Sequence, residues 1–360
     1  MISPYSLRRI LYICYIRIYQ EIVIMLLKQK YALREHNTFH LDVCARWYAE
    51  YNTSEELVEL LQSDLLKEQP FFHIGAGSNL LFTSDYAGVI LHSAIRFIKR
   101  ERENEQYVWV RAGSGVVWDD FCAYSVENNL GGCENLSYIP GEIGASAVQN
   151  IGAYGIEACD LIEEVETIEV ATGEKRVFHN EECGYGYRAS KFKTEWKGKY
   201  IVTSVLYRLD KTPNYTLDYG NLKEEVERRG SLSLANVRDA VIAIRKSKLP
   251  EPDEYGNAGS FFMNPVISRI QYENLLSSYP QMPHYSVNDE YVKVPAAWMI
   301  EQCGWKGKSW GGAAVHDRQC LVLINKKGAT AHEIMSLAQA ICDSVKDKFG
   351  IKISPEVNYI

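Results

Sequence analysis

The sequence contains no C-x-x-C pair, although it has nine cysteines, and it carries no excess of positive charge. An odd number of scattered cysteines argues against a disulfide framework and a zinc site, and it favours a reducing cytoplasm. The formal net charge of −7 disfavours binding of the whole molecule to nucleic acid or to an anionic membrane surface. We therefore expect a cytoplasmic protein with no metal, no nucleic-acid partner and no membrane partner.

Long apolar runs are also missing. The basic, apolar N-terminus offers only residues 10–16 before Arg17 interrupts the run, whereas a membrane-spanning helix needs about 20 residues. A small-residue cleavage site, which would mark a signal peptide, is absent as well. We expect residues 1–24 to be an extension outside the fold, with Met25 as an alternative start to Met1.

The stretch HIGAGSNLLF lacks the third glycine of a dinucleotide-binding fingerprint. Gly75 and Gly77 follow a strand-like stretch, but the continuation LLFTSD does not have a helical pattern. Two interpretations stay open. The stretch is either a structural turn or a turn whose backbone N–H groups, together with Ser78 and Asn79, bind phosphate oxygens.

Glycine is abundant instead in residues 134–155, ENLSYIPGEIGASAVQNIGAYG. Four glycines and a proline are interleaved with amides and apolar residues. Such a segment suits a long loop, and its apolar residues argue against disorder. We expect a loop whose backbone approaches a large, flat ligand.

Three further candidates have a structural and a functional interpretation. Arg188, among glycines and tyrosines, is either a surface arginine or a bidentate partner for a carboxylate. Ser260 is either an ordinary turn hydroxyl or a group placed to donate a proton, and the absence of a G-x-S-x-G elbow argues against a hydrolase nucleophile. His36 and His40 are four residues apart, but HNTFH does not have a helical pattern and no third ligand is apparent, so we expect no metal site there.

The rest of the chain alternates strand-like and helix-like patterns and predicts the α+β class. Short β-rich runs predict a mostly antiparallel sheet between about residues 105 and 209. Residues 236–248 predict an amphipathic helix that ends before Pro250, at a domain boundary. Thr53 with Glu56, and Thr330 with Glu333, match the capping-box pattern and predict helices that begin there.

Six stretches occur in the order seen in the UDP-N-acetylenolpyruvoylglucosamine reductase family, and together they resemble that family over about residues 30–360. They are IGAGSNLLF, ENLSYIPGEIGASAVQNIGAYG, GYRASKF, KLPEPDEYGNAGSFFMNP, GGAAVH and SPEV. The resemblance implies a vanillyl-alcohol-oxidase (PCMH) type FAD-binding unit over residues 41–212, with subdomains at about 30–95 and 96–245. It also implies an α+β substrate-binding domain over residues 248–360 and, we expect, a monomer.

The implied reaction passes hydride from NADPH, through non-covalently bound FAD, to the vinyl carbon of UDP-N-acetylglucosamine enolpyruvate. Arg188 and Glu356 match the residues that stabilise the resulting enolate, and Ser260 matches the proton donor. Tyr219 matches a loop tyrosine found in one class of the family. The implied substrate contacts are Tyr154, Tyr219, Lys248, Asn264, Lys293 and Gln319. The implied FAD contacts are Gly75, Ala76, Gly77, Ser78, Asn79, Pro140, Gly141, Ile143, Gly144, Ala145, Ser146, Asn150, Gly152 and Ala153.

Two alternatives stay open at this point. One is an oxidase of the same flavin fold that uses molecular oxygen. The other is a binding or regulatory module that keeps the fold without turnover, although the joint presence of Arg188, Ser260 and Glu356 argues against it.

Overall fold

The computed structural model describes residues 26–360, so the expected extension and the alternative start at Met25 lie outside the described residues. The described chain divides into two compact units. Unit 1 comprises residues 26–31, 44–76 and 86–244, and unit 2 comprises residues 32–43, 77–85 and 245–360. Each unit is therefore assembled from segments that are distant in sequence.

Unit 1 contains two sheets and a short hairpin. The first sheet has the order β1 (Leu26–Ala32), β2 (Cys44–Tyr51), β5 (Tyr86–Ser93) and β3 (Phe71–Ile74), with β5 parallel to both β2 and β3. The second has the order β11 (Lys175–His179), β10 (Ile162–Glu169), β12 (Tyr200–Asp210), β7 (Tyr107–Gly113) and β6 (Ile98–Glu103). All its pairings are antiparallel, which confirms the antiparallel region predicted from sequence.

The helices of unit 1 are α1 (Ser54–Gln62), α2 (Asp64–Glu68), α3 (Trp118–Glu127), α4 (Ile143–Gln149), α5 (Leu222–Glu227) and α6 (Leu234–Lys248), whose last turn enters unit 2. Helix α6 buries Val237, Val241 and Ile244 on one face, as its spacing predicts. The capping box predicted for α1 forms only in part. Thr53 accepts a bond from the N–H of Glu56, but the Glu56 carboxylate accepts from the N–H of Asn52 instead of Thr53.

The glycine-rich segment 134–155 is not one long loop, which corrects the sequence prediction. It contains a 3₁₀ helix (Glu134–Leu136), helix α4 and the first strand of the hairpin β8 (Gly152–Ala153) and β9 (Ile156–Glu157). Helix α4 forms here because Ile143 and Ala147, one turn apart, are fully buried in the core of the antiparallel sheet. Tertiary burial therefore outweighs the low helix propensity of glycine.

Unit 2 is built from three small sheets and three helices. The first sheet has the order β13 (Gly256–Ser260), β19 (Val322–Asn325), β18 (Ala313–Val315) and β17 (Ser309–Trp310). The second has the order β14 (Val266–Ser268), β16 (Tyr291–Lys293) and β15 (Tyr285–Ser286). The third pairs β20 (Asn358–Tyr359) with β4 (Leu80–Leu81). The helices are α7 (Arg269–Leu276), α8 (Ala296–Gln302) and α9 (Ala331–Phe349). Helices and strands thus occur in both units, which confirms the α+β class.

Helix α9 shows how far local sequence signals determine an element. Both bonds of the capping box between Thr330 and Glu333 are present, and Gly350 ends the helix in the left-handed conformation. Its apolar face, including Ile334, Ile341 and Val345, is fully buried in the core of unit 2. Within residues 26–360, no helix combines the length and the apolar character that a membrane crossing requires.

Candidate active site

The Gly75 turn and the start of helix α4 meet in unit 1. A Cβ atom on Gly75 would lie 3.1 Å from Glu142 Oε2 and 3.5 Å from Ala145 Cβ. A Cβ atom on Gly144 would lie only 2.9 Å from Ser114 Cβ, so this position needs glycine. Gly75, Ala76 and Ala145 are partly exposed. The chain thus brings two of the predicted FAD-binding stretches into contact.

Other predicted FAD contacts in unit 1 use their side chains inside the protein. The Ser146 hydroxyl bonds with the Ile143 carbonyl and lies 2.7 Å from the hydroxyl of Tyr207. Asn150 is fully buried, and its side chain donates to Glu157 and to the Gly186 carbonyl and accepts from the N–H of Cys159. Their predicted role toward FAD therefore depends on the backbone.

Arg188 is held against the carbonyls at the start of the β8–β9 hairpin. Its guanidinium donates to the carbonyl oxygens of Asn150 and Gly152, and Glu157 Oε1 lies 3.9 Å from Nη1. A Cβ atom on Gly152 would approach Arg188 Nη1 to 2.7 Å, so any larger residue there would displace the guanidinium. The Arg188 backbone has a φ of 53°, which an L residue adopts only with strain. Its conformation is therefore fixed from several sides.

Two predicted substrate contacts also meet in unit 1. The rings of Tyr154 and Tyr219 pack edge to face with their centroids 5.7 Å apart. Asn135 ties the two segments together, because its side chain donates to the carbonyls of Tyr154 and Thr216. Tyr219 remains 46% exposed, so much of its surface is available to a ligand.

The remaining residues of the first glycine turn belong to unit 2. Gly77 has a φ of 70°, and a Cβ there would lie 2.0 Å from the His36 carbonyl oxygen, so no other residue fits. Ser78 and Asn79 follow, and Asn79 receives the C-terminal tail through bonds from Asn358 to its carbonyl. The predicted phosphate-binding turn thus spans the point where the chain passes from one unit to the other.

Ser260 ends β13 at an irregularity. The pairing of β13 with β19 shifts between Asn257 and Ser260, and Gly259 adopts a φ of 66° there. The Asn257 side chain stabilises this bulge by accepting a bond from the N–H of Gly259. The Ser260 side chain is exposed and makes no hydrogen bond with any residue of the range 26–360. A bulge of this type changes the direction of the side chains that follow it, here that of Ser260.

Glu356 lies on the backbone segment next to Ser260. Its N–H donates to the Phe261 carbonyl at 2.8 Å, and Phe262 forms an antiparallel bridge with Pro355. The tail beyond it is fixed, because β20 pairs in parallel with β4 and the carbonyl of Ile360 accepts from Thr83. Two predicted catalytic residues far apart in sequence are therefore neighbours in unit 2.

The other predicted substrate contacts lie on nearby segments of unit 2. Asn264 accepts a bond from the N–H of Ala296 at the start of α8, and two residues further on Val266 pairs with Lys293. Gln319 caps the turn before β19, whose Val322 pairs with Ser260. Lys248 ends α6 and is exposed.

A buried ionic chain in unit 1 has no counterpart in the sequence predictions. His92 Nδ1 lies 2.9 Å from Glu50 Oε2, and His92 Nε2 lies 2.9 Å from Glu142 Oε1. Burial lowers the pKa of His92, but hydrogen bonds to Glu142 and Glu50 outweigh it and raise the pKa to about 9. A signal was present in the sequence, since Glu142 is the acidic residue within the glycine-rich PGEIGAS.

Two family models match the chain. Residues 45–178 match the FAD binding domain, and residues 251–360 match the C-terminal domain of UDP-N-acetylenolpyruvoylglucosamine reductase. The reductase of that name from Bacteroides fragilis is 52% identical over 334 residues, which cover 93% of this chain and all of the relative. The chain belongs to the UDP-N-acetylenolpyruvoylglucosamine reductase family. It is an FAD-dependent oxidoreductase, as the resemblance implied.

Further relatives agree with this assignment. The Porphyromonas gingivalis reductase is 46% identical over 93% of this chain and 99% of its own length. The crystal structure of the Thermus caldophilus reductase superposes with a TM-score of 0.66 at 22% identity, covering 93% of this chain and 99% of that one. At this identity the structural likeness concerns the fold alone, and it confirms the expected fold.

Proposed function

We propose that this protein reduces UDP-N-acetylglucosamine enolpyruvate to UDP-N-acetylmuramate with NADPH, a step of peptidoglycan precursor synthesis. Membership of the reductase family supports the reaction class. One structural observation carries the proposal further: the bond from the Glu356 N–H to the Phe261 carbonyl makes the predicted proton donor and a predicted enolate-binding residue neighbours. We expect the reaction in the cytoplasm and a monomeric enzyme.

The Gly75 turn and the segment 141–145 at the start of α4 fit an extended cofactor such as FAD. Gly75, Ala76, Gly141 and Ala145 are partly exposed and have small side chains or none, and the two segments are so close that a Cβ on Gly75 would touch Glu142. FAD supplies hydride-transfer chemistry between NADPH and the terminal vinyl carbon of the substrate. Gly75, Ala76, Gly141 and Ala145 would hold it through their backbone.

Arg188 is suited to stabilise negative charge that develops on the substrate. Hydride addition to the vinyl carbon leaves an enolate delocalised over the carboxylate, and a guanidinium is a charged donor for such a group. Because Arg188 is already fixed by the Asn150 and Gly152 carbonyls, little reorganisation is needed when the charge develops. Glu356 is the predicted acidic partner.

Ser260 is suited to deliver the proton that completes the reduction. Its exposed hydroxyl is not committed to another residue of the described chain, and a carbanion-like carbon is a base strong enough to take a proton from an alcohol. Tyr154, Tyr219, Asn264, Gln319, Lys248 and Lys293 are the proposed substrate contacts. The two lysines would offset the charge of a diphosphate on a net-acidic protein.

Isotope labelling tests the proposal. With NADPH deuterated at the nicotinamide C4 position, we expect deuterium in the methyl group of the lactyl ether; with ordinary NADPH in D₂O, we expect it on the adjacent carbon. NADPH consumption without the enolpyruvyl substrate, coupled to oxygen uptake, would instead support an oxidase and contradict the proposal.

A further inference from the structure

A continuous chain of hydrogen bonds runs beneath the glycine turn of unit 1. The Tyr48 hydroxyl donates to Glu50 Oε2 at 3.0 Å, and His92 bridges Glu50 and Glu142 with one ring nitrogen each. The side chains of His92 and Glu142 are only 6% and 7% exposed. Since both ring nitrogens face carboxylates, His92 is held as the doubly protonated cation.

Glu142 brings this chain to the turn itself. Its second carboxylate oxygen, Oε2, lies 3.1 Å from where a Cβ on Gly75 would stand, so the carboxylate is in contact with the turn. The Glu142 backbone is fixed as well, because its carbonyl accepts from Ser146 and it bridges to Val117. A carboxylate held there would repel an anionic ligand unless its charge were cancelled.

The groups around His92 leave it as the cation that pairs with Glu142. Glu50, on β2, is partly exposed, and the positive charge of Arg96 helps to lower its pKa after the hydrogen bond from His92. His73, on β3, stays neutral because burial lowers its pKa to about 3. The titratable and charged groups that face the chain from the surrounding segments are Tyr31, Tyr48, Glu50, Tyr51, His73, Arg96 and Glu142.

We propose that His92 is a positioning residue for the flavin cofactor, which keeps the Glu142 carboxylate neutralised so that the Gly75 turn accepts the anionic pyrophosphate. The inference rests on the proposed function, because it takes the Gly75 turn as part of the FAD site. On this proposal His92 removes the electrostatic penalty of having the Glu142 carboxylate beside the turn.

The test is the affinity of the apoprotein for FAD as a function of pH, followed by flavin fluorescence. In His92→Gln, Glu142 loses its cation, so we expect the dissociation constant near pH 8 to rise about tenfold. The affinity should recover as the pH falls, because an isolated buried carboxylate takes up a proton. The double variant His92→Gln/Glu142→Gln should return to within about threefold of the wild type and lose this pH dependence.

Two further variants separate charge from general disruption. His73→Gln changes a neighbouring buried histidine that is neutral, and it should keep the pH profile of the wild type. Glu142→Gln alone removes the carboxylate and leaves the His92 cation, so FAD should bind at least as tightly as it does to the wild type. These expectations hold even if His92→Gln proves too unstable to study.

The outcomes distinguish this inference from the proposed function. If the wild type takes up no FAD, both are overturned. If the wild type binds FAD but His92→Gln has a wild-type pH profile, or the double variant stays as weak as the single one, the role of His92 is refuted and the proposed function stands. Weaker FAD binding by Glu142→Gln would equally refute it.

Discussion

The side chains of Arg188 in unit 1 and Ser260 in unit 2 have opposite surroundings: the first is held by hydrogen bonds and the second is exposed. The Arg188 guanidinium is held by the carbonyls of Asn150 and Gly152, its backbone is strained, and a Cβ on Gly152 would displace the guanidinium. Ser260 projects from a bulge with an exposed hydroxyl. The comparison teaches that the group expected to stabilise charge is preorganised by packing, whereas the group expected to transfer a proton is left open for a ligand.

Removing the open group should have the largest effect. Ser260→Ala should lower turnover by about 10²- to 10⁴-fold, because it deletes the proposed proton donor. In this variant the reduction of the bound flavin by NADPH and the thermal stability should stay unchanged, because the Ser260 hydroxyl has no partner among the described residues. The measurement is steady-state turnover with the enolpyruvyl substrate, with the exposed Ser278→Ala as control. Equal turnover in both variants would remove Ser260 from the mechanism.

Disturbing the enclosed group should have the next largest effect. Gly152→Ala puts a methyl group 2.7 Å from Arg188 Nη1, so we expect a loss of about 1–3 kcal/mol in the free energy of unfolding and a turnover at least about tenfold lower. Gly186→Ala, at a residue whose carbonyl accepts a bond from Asn150, is the matched control, since the nearest neighbour of the added Cβ would be 4.0 Å away. If both variants behave alike in denaturant titration and turnover, Arg188 is not held as described.

Raising the pH should weaken unit 1 through His92. Its pKa, about 9 in the fold against 6.5 unperturbed, means that its contribution is complete below pH 6.5 and disappears as the pH rises through 9. The free energy of unfolding should therefore fall by up to about 1.4 kcal/mol per pH unit in this window. His73, with its pKa lowered to about 3 by burial, acts in the opposite sense and loses its contribution as the pH falls below 6.5.

Urea titrations across this pH range provide the check. Stability should be greatest near pH 6.5, and His92→Gln should flatten the alkaline slope while leaving the acidic one. An alkaline slope that persists unchanged in His92→Gln would show that other groups cause it.

Shortening the tail should have the smallest effect. Deletion of residues 358–360 removes the pairing of β20 with β4 and the bonds between Ile360 and Thr83. Each lost hydrogen bond contributes only about 1 kcal/mol to the free energy of unfolding, because water replaces the lost partner. We expect a few-fold lower turnover with unchanged flavin reduction by NADPH. If the deletion also slowed the reduction of the flavin by NADPH, the tail would do more than hold Glu356 in place, which contradicts this expectation.

Capping residues and apolar spacing in the sequence predicted the helices whose ends and buried faces depend on residues close together in the chain. The start of helix α9 was predicted from its capping box, and α6 with its buried face, because capping residues and apolar spacing act within a few residues. Helix α4 was missed, since its glycines argue against a helix and only burial of Ile143 and Ala147 makes it form.

The rest of the site depends on contacts between distant segments. The pairing of β20 with β4 and the approach of Glu142 to Gly75 join parts of the chain that no local pattern relates. The same is true of the assembly of unit 2 from residues 32–43, 77–85 and 245–360. The resemblance to a family supplied the predicted residues Arg188, Ser260 and Glu356, but no family motif pointed to His92.

The most direct test of the account is the visible spectrum of the purified protein during two anaerobic additions. We predict a bound-flavin band that bleaches with NADPH and returns with the enolpyruvyl sugar nucleotide in the absence of oxygen. In Ser260→Ala the bleaching should be normal and the return slow. A band that returns only with oxygen, or a colourless protein that cannot be loaded with FAD, would contradict the account.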